Sequence, residues 1–343
     1  MRRVVVHRPG GYERLVIEDA DDPEPGPGEV VVRTAAIGVN YADCIVRMGL
    51  YSSAKRYVGW PITPGFEAAG EVAAVGAGVQ GIAPGDEVVA VTRFGAYATH
   101  VRVPAAQVRP RPAGWSVEET AGLPTVFLTA WYALCRSAAT EAGHTVLVHS
   151  AAGGVGGALL QLARIHGARA VGVVGGPHKV ETARTLGADV VIDKSREDLW
   201  TAARAACPEG YHAVFDANGV ATLRQSYRHL RPTGRLVVYG HHSMLPRGRG
   251  RPNPLALLWH WLRIPRFEPL RMTESNKSVM AFNLSYLFAE RDTFSAAMDQ
   301  VLRWAAEGAI RPPPVTTYAL DDVAAAHRAL ETARTVGKLV LLP

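Results

Sequence analysis

In the first third of the chain, apolar positions come in short runs broken by glycine and proline. "EVVVRTAAIGV" (29–39) follows the turn-forming "EPGPG", and "EAAGEVAAVGAGV" (67–79) and "DEVVAV" (86–91) continue the pattern. Such runs predict strands joined by tight turns, hence an all-β, barrel-like unit. From about Pro124 the texture changes. "TVLVHS" (145–150) reads as a buried strand, "GGVGGALLQLARIHG" (153–167) as a glycine turn and helix, and "RAVGVV" (169–174) as another strand. The helix "HKVETARTLG" (178–187), the strand "DVVID" (189–193) and then "HAVFDANG" (212–219), "LRQSYRHLR" (223–231) and "GRLVVYG" (234–240) keep the alternation going. Strands alternating with helices predict βαβ units on a parallel sheet. The tail reads as a helix (293–308), a segment starting a further helix at Asp321 and Asp322, and a closing strand, "GKLVLLP" (337–343).

A chain of 343 residues suffices for two domains with cores of their own. Its 48% hydrophobic and 20% charged residues are ordinary for a soluble globular protein. The N-terminus lacks an apolar leader core, and "LALLWHWL" (255–262) is far short of the roughly 20 residues a spanning helix needs. Cys44, Cys135 and Cys207 lie far apart and match neither disulfide nor zinc spacing. Together these features point to the cytoplasm. The net charge of +6 suits an anionic cofactor, an anionic membrane or nucleic acid. We read the basic run Arg247–Pro252 as a solvated loop, and the tryptophans after it as core or as a lid over substrate. A membrane-touching flap is the alternative. We expect no nucleic-acid partner, because no interleaved aromatic and basic pattern is present.

The glycine turn carries chemistry because of its context. It sits where a buried strand gives way to a helix. Gly153 lets the backbone approach a pyrophosphate, Gly156 lets the helix pack on the strand, and the helix N-terminus offers free N–H groups. Ala151 replaces the first glycine of the usual pattern. An NAD-binding sheet places an acid at the end of its second strand, for the ribose hydroxyl. Here that region holds Gly175 and Gly176, then His178 and Lys179. A missing carboxylate beside a cation predicts NADPH in preference to NADH, with Lys179 on the added phosphate.

"PGFEAAGEVAAVGAGV" (64–79) followed by "PGDEVV" (84–89) resembles the signature of the medium-chain dehydrogenase/reductase superfamily. "GVNYADCIVRMGLY" (38–51) and "AAGGVG" (151–156) resemble its zinc-free quinone oxidoreductase branch. "NKSVMAFNLSYLF" (276–288) and the "GKLVLLP" ending are similar to the subgroup named after the synaptic-vesicle membrane protein. The resemblance implies an α/β fold: a GroES-like β-barrel catalytic domain (1–123 and 287–343) with an inserted Rossmann domain (124–286), in members that are usually homodimers or homotetramers, and a homodimer is expected here.

It also implies site residues. Asn40 and Tyr51 would line the nicotinamide pocket as the catalytic pair, Asn40 positioning the nicotinamide or the substrate oxygen and Tyr51 donating a hydrogen bond or proton. Thr129 would lie near the nicotinamide ribose, Gly153, Gly154, Val155 and Gly156 at the pyrophosphate, and Gly240 under the cofactor. Phe282, Asn283 and Leu284 would return to the nicotinamide, and Gly175 and Asn218 complete the set. Lys194 stands where the branch often has tyrosine and adds a second cation for phosphate. Zinc-dependent relatives carry Cys and His where this chain has Asn40 and Phe66, and the four-cysteine lobe is missing. We therefore expect no metal. Asp43 and Arg47, four residues apart, are expected to pair on a helix, and the His241–His242 pair to lie on the surface.

The sequence thus predicts a zinc-independent oxidoreductase that moves hydride from NADPH to an already electrophilic quinone or α,β-unsaturated carbonyl. The alternative is a nucleotide-binding protein with a membrane-surface or RNA-binding role and little turnover.

Overall fold

The computed structural model describes every residue from 1 to 343 except Arg247 and Arg249, so part of the basic run lies outside the described residues. The β-rich third forms a sheet in the order Val315–Ala319, Lys338–Leu342, Glu29–Val39, Glu67–Val75, Glu87–Val91, Val108–Pro110, with His100–Pro104 also on Glu29–Val39. The closing strand pairs antiparallel with the first long one, Leu339 opposite Val39 and Leu341 opposite Ile37. Chain ends far apart in sequence therefore share one barrel core, built from Val4, Ile37, Val39, Tyr97, Leu339 and Leu341.

The middle of the chain forms a wholly parallel sheet in the order Val190–Asp193, Arg169–Val174, Thr145–His149, Tyr211–Asp216, Leu230–Val238, Ser278–Ala281. Counted along the chain, this is the 3-2-1-4-5-6 order of a Rossmann sheet, whose direction reverses between the first and fourth strands. At such a point the loops leaving the strands diverge and open a crevice for a ligand. The strands are buried on both faces, which explains why they read as unbroken apolar runs.

Two glycines hold the units together where no side chain fits. A Cβ on Gly156 would come within 2.2 Å of the Ser150 carbonyl oxygen, so the helix Gly154–Ile165 packs this tightly only with glycine there. Gly337 has φ +65°, and a Cβ on it would sit 2.1 Å from the Pro314 carbonyl oxygen. Its N–H donates to Ala152 O at 2.9 Å, tying the tail to the glycine turn.

Two expectations need adjustment. The helix Arg291–Ala306 buries Phe294, Met298 and Val301 in the same core as Phe127 and Leu159, on the Rossmann side. We propose that the inserted unit runs past 287 to the end of this helix. The tryptophans of the helix Pro254–Leu262 are not core: no residue of that helix is buried, and Trp259 and Trp261 are 59% and 63% exposed.

Candidate active site

The strand Glu29–Val39 ends at Asn40, which caps the helix Tyr41–Arg47. Capping turns the Asn40 side chain away from solvent and into a buried ionic trio. Its Nδ2 donates to Glu67 Oε1 at 2.8 Å, and its Oδ1 accepts from Lys338 Nζ at 2.5 Å. Lys338 and Glu67 are themselves paired at 2.6 Å, at 3% and 0% exposure. The second Glu67 oxygen accepts from the Thr125 backbone N–H at 2.7 Å. Two charges out of water are tolerated only when paired and hydrogen-bonded, and here Lys338 has two oxygen partners and Glu67 three donors. One N–H of the Asn40 amide is left over.

Asp43 and Arg47 do not pair with each other, contrary to the helical-spacing argument. Each finds a better-desolvated partner from another element. Asp43 accepts from Asn40 N (2.7 Å), Gly65 N (2.9 Å) and Tyr97 Oη (3.0 Å), and burial pushes its pKa up to about 7. Arg47 pairs with Glu331 at 2.6 Å, both wholly buried, and its Nη1 contacts His327 Nδ1 at 3.1 Å. Tyr97 joins the two groups through His327 Nε2 at 3.1 Å. The helix that carries Asn40 is thus fixed to the barrel and to the helix Val323–Glu331 by buried polar contacts.

Tyr51 enters from the next helix's cap. Its hydroxyl donates to Asn283 Oδ1 at 2.8 Å, and burial raises its pKa, so it stays a donor. Asn283 also accepts from Ser285 N at 2.9 Å, which fixes its orientation. Around this bond lies a narrow apolar cavity of about 30 Å³, lined by Ala42, Tyr51, Phe66, Val91, Thr125 and Leu284 among others. Phe66, at the former zinc-ligand position, packs 5.8 Å from the Tyr51 ring. Among the described residues no group of three or more His, Cys, Asp or Glu could hold a metal ion.

The helix Pro124–Trp131 joins this end to the glycine turn: a Cβ on Gly154 would meet Val126 at 2.7 Å. The first-turn amides of Gly154, Val155 and Gly156 have no intrahelical acceptor. Thr129 donates its hydroxyl to Thr125 O at 2.6 Å, inside the helix. Thr125 Oγ1, on the cavity wall, has no partner, and neither does the buried Tyr239 hydroxyl one residue before Gly240. Asn218 and Gly240 follow adjacent strands, and a Cβ on Gly240 would meet Ala217 O at 2.7 Å. Phe282 packs tilted against Tyr132, 4.8 Å between ring centroids.

At the other end, beyond the second strand, a Cβ on Gly175 would lie 3.7 Å from Lys194 Cε. Lys179 donates to Ala333 O at 2.6 Å, and partial burial and then the Lys194 charge lower its pKa. Lys179 and Lys194 thus converge where a 2′-phosphate would lie. Open glycine backbone, unpaired first-turn amides, the two orphaned hydroxyls and this cation pair fit a phosphorylated dinucleotide.

His242 is not a free surface residue. Its ring packs tilted against Tyr41, 4.0 Å between centroids, and desolvation pushes its pKa down to about 4. Sequence reasoning missed Glu67, Lys338, Thr125 and Ser285. Glu67 and Lys338 stand inside the quoted "PGFEAAG" and "GKLVLLP" motifs, and a charge embedded in an apolar run was the available signal.

Known proteins resemble this chain over its whole length. Residues 186–341 match the zinc-binding dehydrogenase family model, and residues 26–113 the alcohol dehydrogenase GroES-like domain. The synaptic vesicle membrane protein VAT-1 homolog of Rattus norvegicus is 34% identical over 100% of this chain and 84% of its own length. A 2-haloacrylate reductase from Burkholderia is 32% identical over 99% of this chain and 98% of its own. The chain belongs to the medium-chain dehydrogenase/reductase superfamily, in its quinone oxidoreductase and VAT-1-like branch. The structure of an Escherichia coli quinone oxidoreductase complexed with NADPH superposes on this branch member with a TM-score of 0.86, at 29% identity and 100% coverage of both chains. The expected fold is therefore present: a GroES-like barrel domain and a Rossmann domain, with the crevice between them in an oxidoreductase family.

Proposed function

We propose that this protein is an NADPH-dependent reductase of quinones or α,β-unsaturated carbonyl compounds that works without zinc. One observation carries the reading: the crevice at the strand switch point has the lysine pair at one end and the Asn40–Tyr51 cavity at the other. NADPH, when bound, supplies a hydride. The glycine turn and helix N-terminus hold its pyrophosphate, and Lys179 and Lys194 hold its 2′-phosphate. Asn40, immobilised by Glu67 and Lys338, offers its remaining N–H to the nicotinamide amide or the substrate oxygen. Negative charge grows on that oxygen, and a fixed donor in a dry site stabilises it strongly. The Tyr51 hydroxyl, a donor throughout the ordinary pH range, turns from Asn283 to the same oxygen. Phe66, Val91 and Leu284 keep water out. A substrate ring exceeds the present cavity, so its entry shifts the Asn283–Phe288 wall.

Support for leaving zinc out is chemical. The Asn40 amide oxygen is already taken by Lys338 and one of its N–H groups by Glu67, and Phe66 belongs to an aromatic cluster. The test is steady NADPH oxidation with a panel of quinones and enones. Turnover supports the reading, and tight NADPH binding with no turnover on any member contradicts it. We further propose a cytoplasmic homodimer formed through Ser278–Ala281, an edge strand paired on one side only, with Met280 40% exposed.

A second reading rests on the helix Pro254–Leu262. With Leu255 77% and Trp261 63% exposed and Arg263 next in sequence, it suits transient contact with an anionic membrane. Salt-sensitive pelleting with anionic liposomes, lost in Trp259→Ser/Trp261→Ser, supports it, and pelleting indifferent to those changes dismisses it.

A further inference from the structure

Beside the cavity stands an arginine that no carboxylate answers. Arg93 lies two residues beyond Val91 of the cavity wall. Its Nε donates to the Ser285 carbonyl at 3.1 Å, and its guanidinium carbon sits 3.9 Å over the Tyr57 ring and 5.5 Å from that of Phe288. Ser285 and Phe288 both line the cavity. Of the guanidinium N–H groups, these contacts use only the one on Nε. Its terminal fork makes no hydrogen bond, and Arg93 forms no ion pair, among the described residues. Three other partly or wholly buried arginines do have a carboxylate: Arg47 has Glu331, Arg109 has Asp299 and Arg111 has Glu87.

The surroundings reinforce the imbalance. Arg56 lies over the same Tyr57 ring at 5.5 Å and over Tyr286 at 5.9 Å, and it too forms no ion pair among the described residues. The rim of the cavity therefore carries two cations held by aromatic faces and a backbone carbonyl. An arginine oriented in this way, with its fork open, is preorganised for a planar anion, because two parallel N–H groups match the two oxygens of a carboxylate. The Tyr57 ring holds the cation in place without neutralising its charge.

We propose that Arg93 is a specificity-determining residue that binds a carboxylate on the substrate. The preferred substrate is then an enone or quinone bearing an acid group directed toward the cavity rim, with its reducible carbonyl toward Asn40 and Tyr51. Arg56, further out, draws the anion toward the mouth. The proposal rests on the hydride-transfer reading for its kinetics, but not for its binding.

The test compares β-benzoylacrylate with its neutral methyl ester, in wild type, Arg93→Gln and Arg93→Lys, with a neutral naphthoquinone as a control for turnover. The ratio of acid to ester kcat/KM should fall by about tenfold in Arg93→Gln, with the ester itself changed by no more than about twofold. Arg93→Lys, which keeps the charge and loses the fork, should fall between the two. An unchanged ratio in Arg93→Gln overturns the proposal. So does a parallel loss on acid and ester, which marks Arg93 as a strut for the Ser285 segment. Should none of the three compounds be reduced, hydride transfer fails as a reading. Equilibrium dialysis of the acid and the ester against wild type and Arg93→Gln then decides the carboxylate site: weaker binding of the acid alone in the variant supports it, and equal binding refutes it.

Discussion

The two ends of the crevice are built on opposite principles. Around Asn40 itself the charges are buried and answered: Lys338 by Glu67 and Asn40, Glu67 also by the Thr125 amide, Arg47 by Glu331. At the Lys179 end two cations sit close together, and partial burial and then the Lys194 charge lower the Lys179 pKa. The first arrangement fixes a geometry, because moving any member strands a charge in a dry interior. The second leaves positive potential for a ligand to neutralise. On the proposed reading, rigidity serves the alignment that hydride transfer needs, and concentrated positive charge serves the recognition of a phosphate.

The buried end should break hardest. Lys338→Met strands the Glu67 carboxylate at 0% exposure, and urea unfolding should show a loss of about 3–5 kcal/mol. The double variant Glu67→Leu/Lys338→Met should recover most of that loss, since replacing a buried pair by apolar groups is often near neutral. A single variant within about 1 kcal/mol of wild type would show that the pair resembles an exposed one.

A smaller effect, on rate rather than folding, should follow from the groups this scaffold presents. Asn40→Ala should lower kcat/KM for a quinone by about a hundredfold, the usual scale for one preorganised donor. Tyr51→Phe, which keeps the ring on Phe66 and loses only the hydroxyl, should cost about tenfold. Unchanged kcat/KM in both variants, read by NADPH absorbance, would move the chemistry elsewhere in the crevice.

The two ends also differed in how well the sequence announced them. The parallel sheet, the glycine turn and the lysine cluster were legible because each depends on local signals: apolar runs, a strand–helix junction, a cation where an acid was expected. The Asn40 end was legible only in part. Asn40 and Tyr51 came from motif likeness, but Glu67 and Lys338 meet across 271 positions of chain through pairings no local period reveals. The Asp43–Arg47 expectation failed for the same reason. Helical spacing permits that pair, yet Gly65, Tyr97, His327 and Glu331 arrive from other elements and offer both groups drier partners. The exposed tryptophans fit no local rule either: an apolar helix reads as core until the fold leaves it nothing to cover.

The central claim is that a 2′-phosphorylated dinucleotide docks with its phosphate on Lys179 and Lys194. Fluorescence titration with NADPH and NADH of the wild type, Lys179→Ala and Lys194→Ala tests it most directly. The account predicts that wild type binds NADPH at least about tenfold more tightly than NADH, and that each alanine weakens NADPH while leaving NADH unchanged. Equal affinity for the two cofactors in wild type, or NADPH binding indifferent to both substitutions, would contradict it.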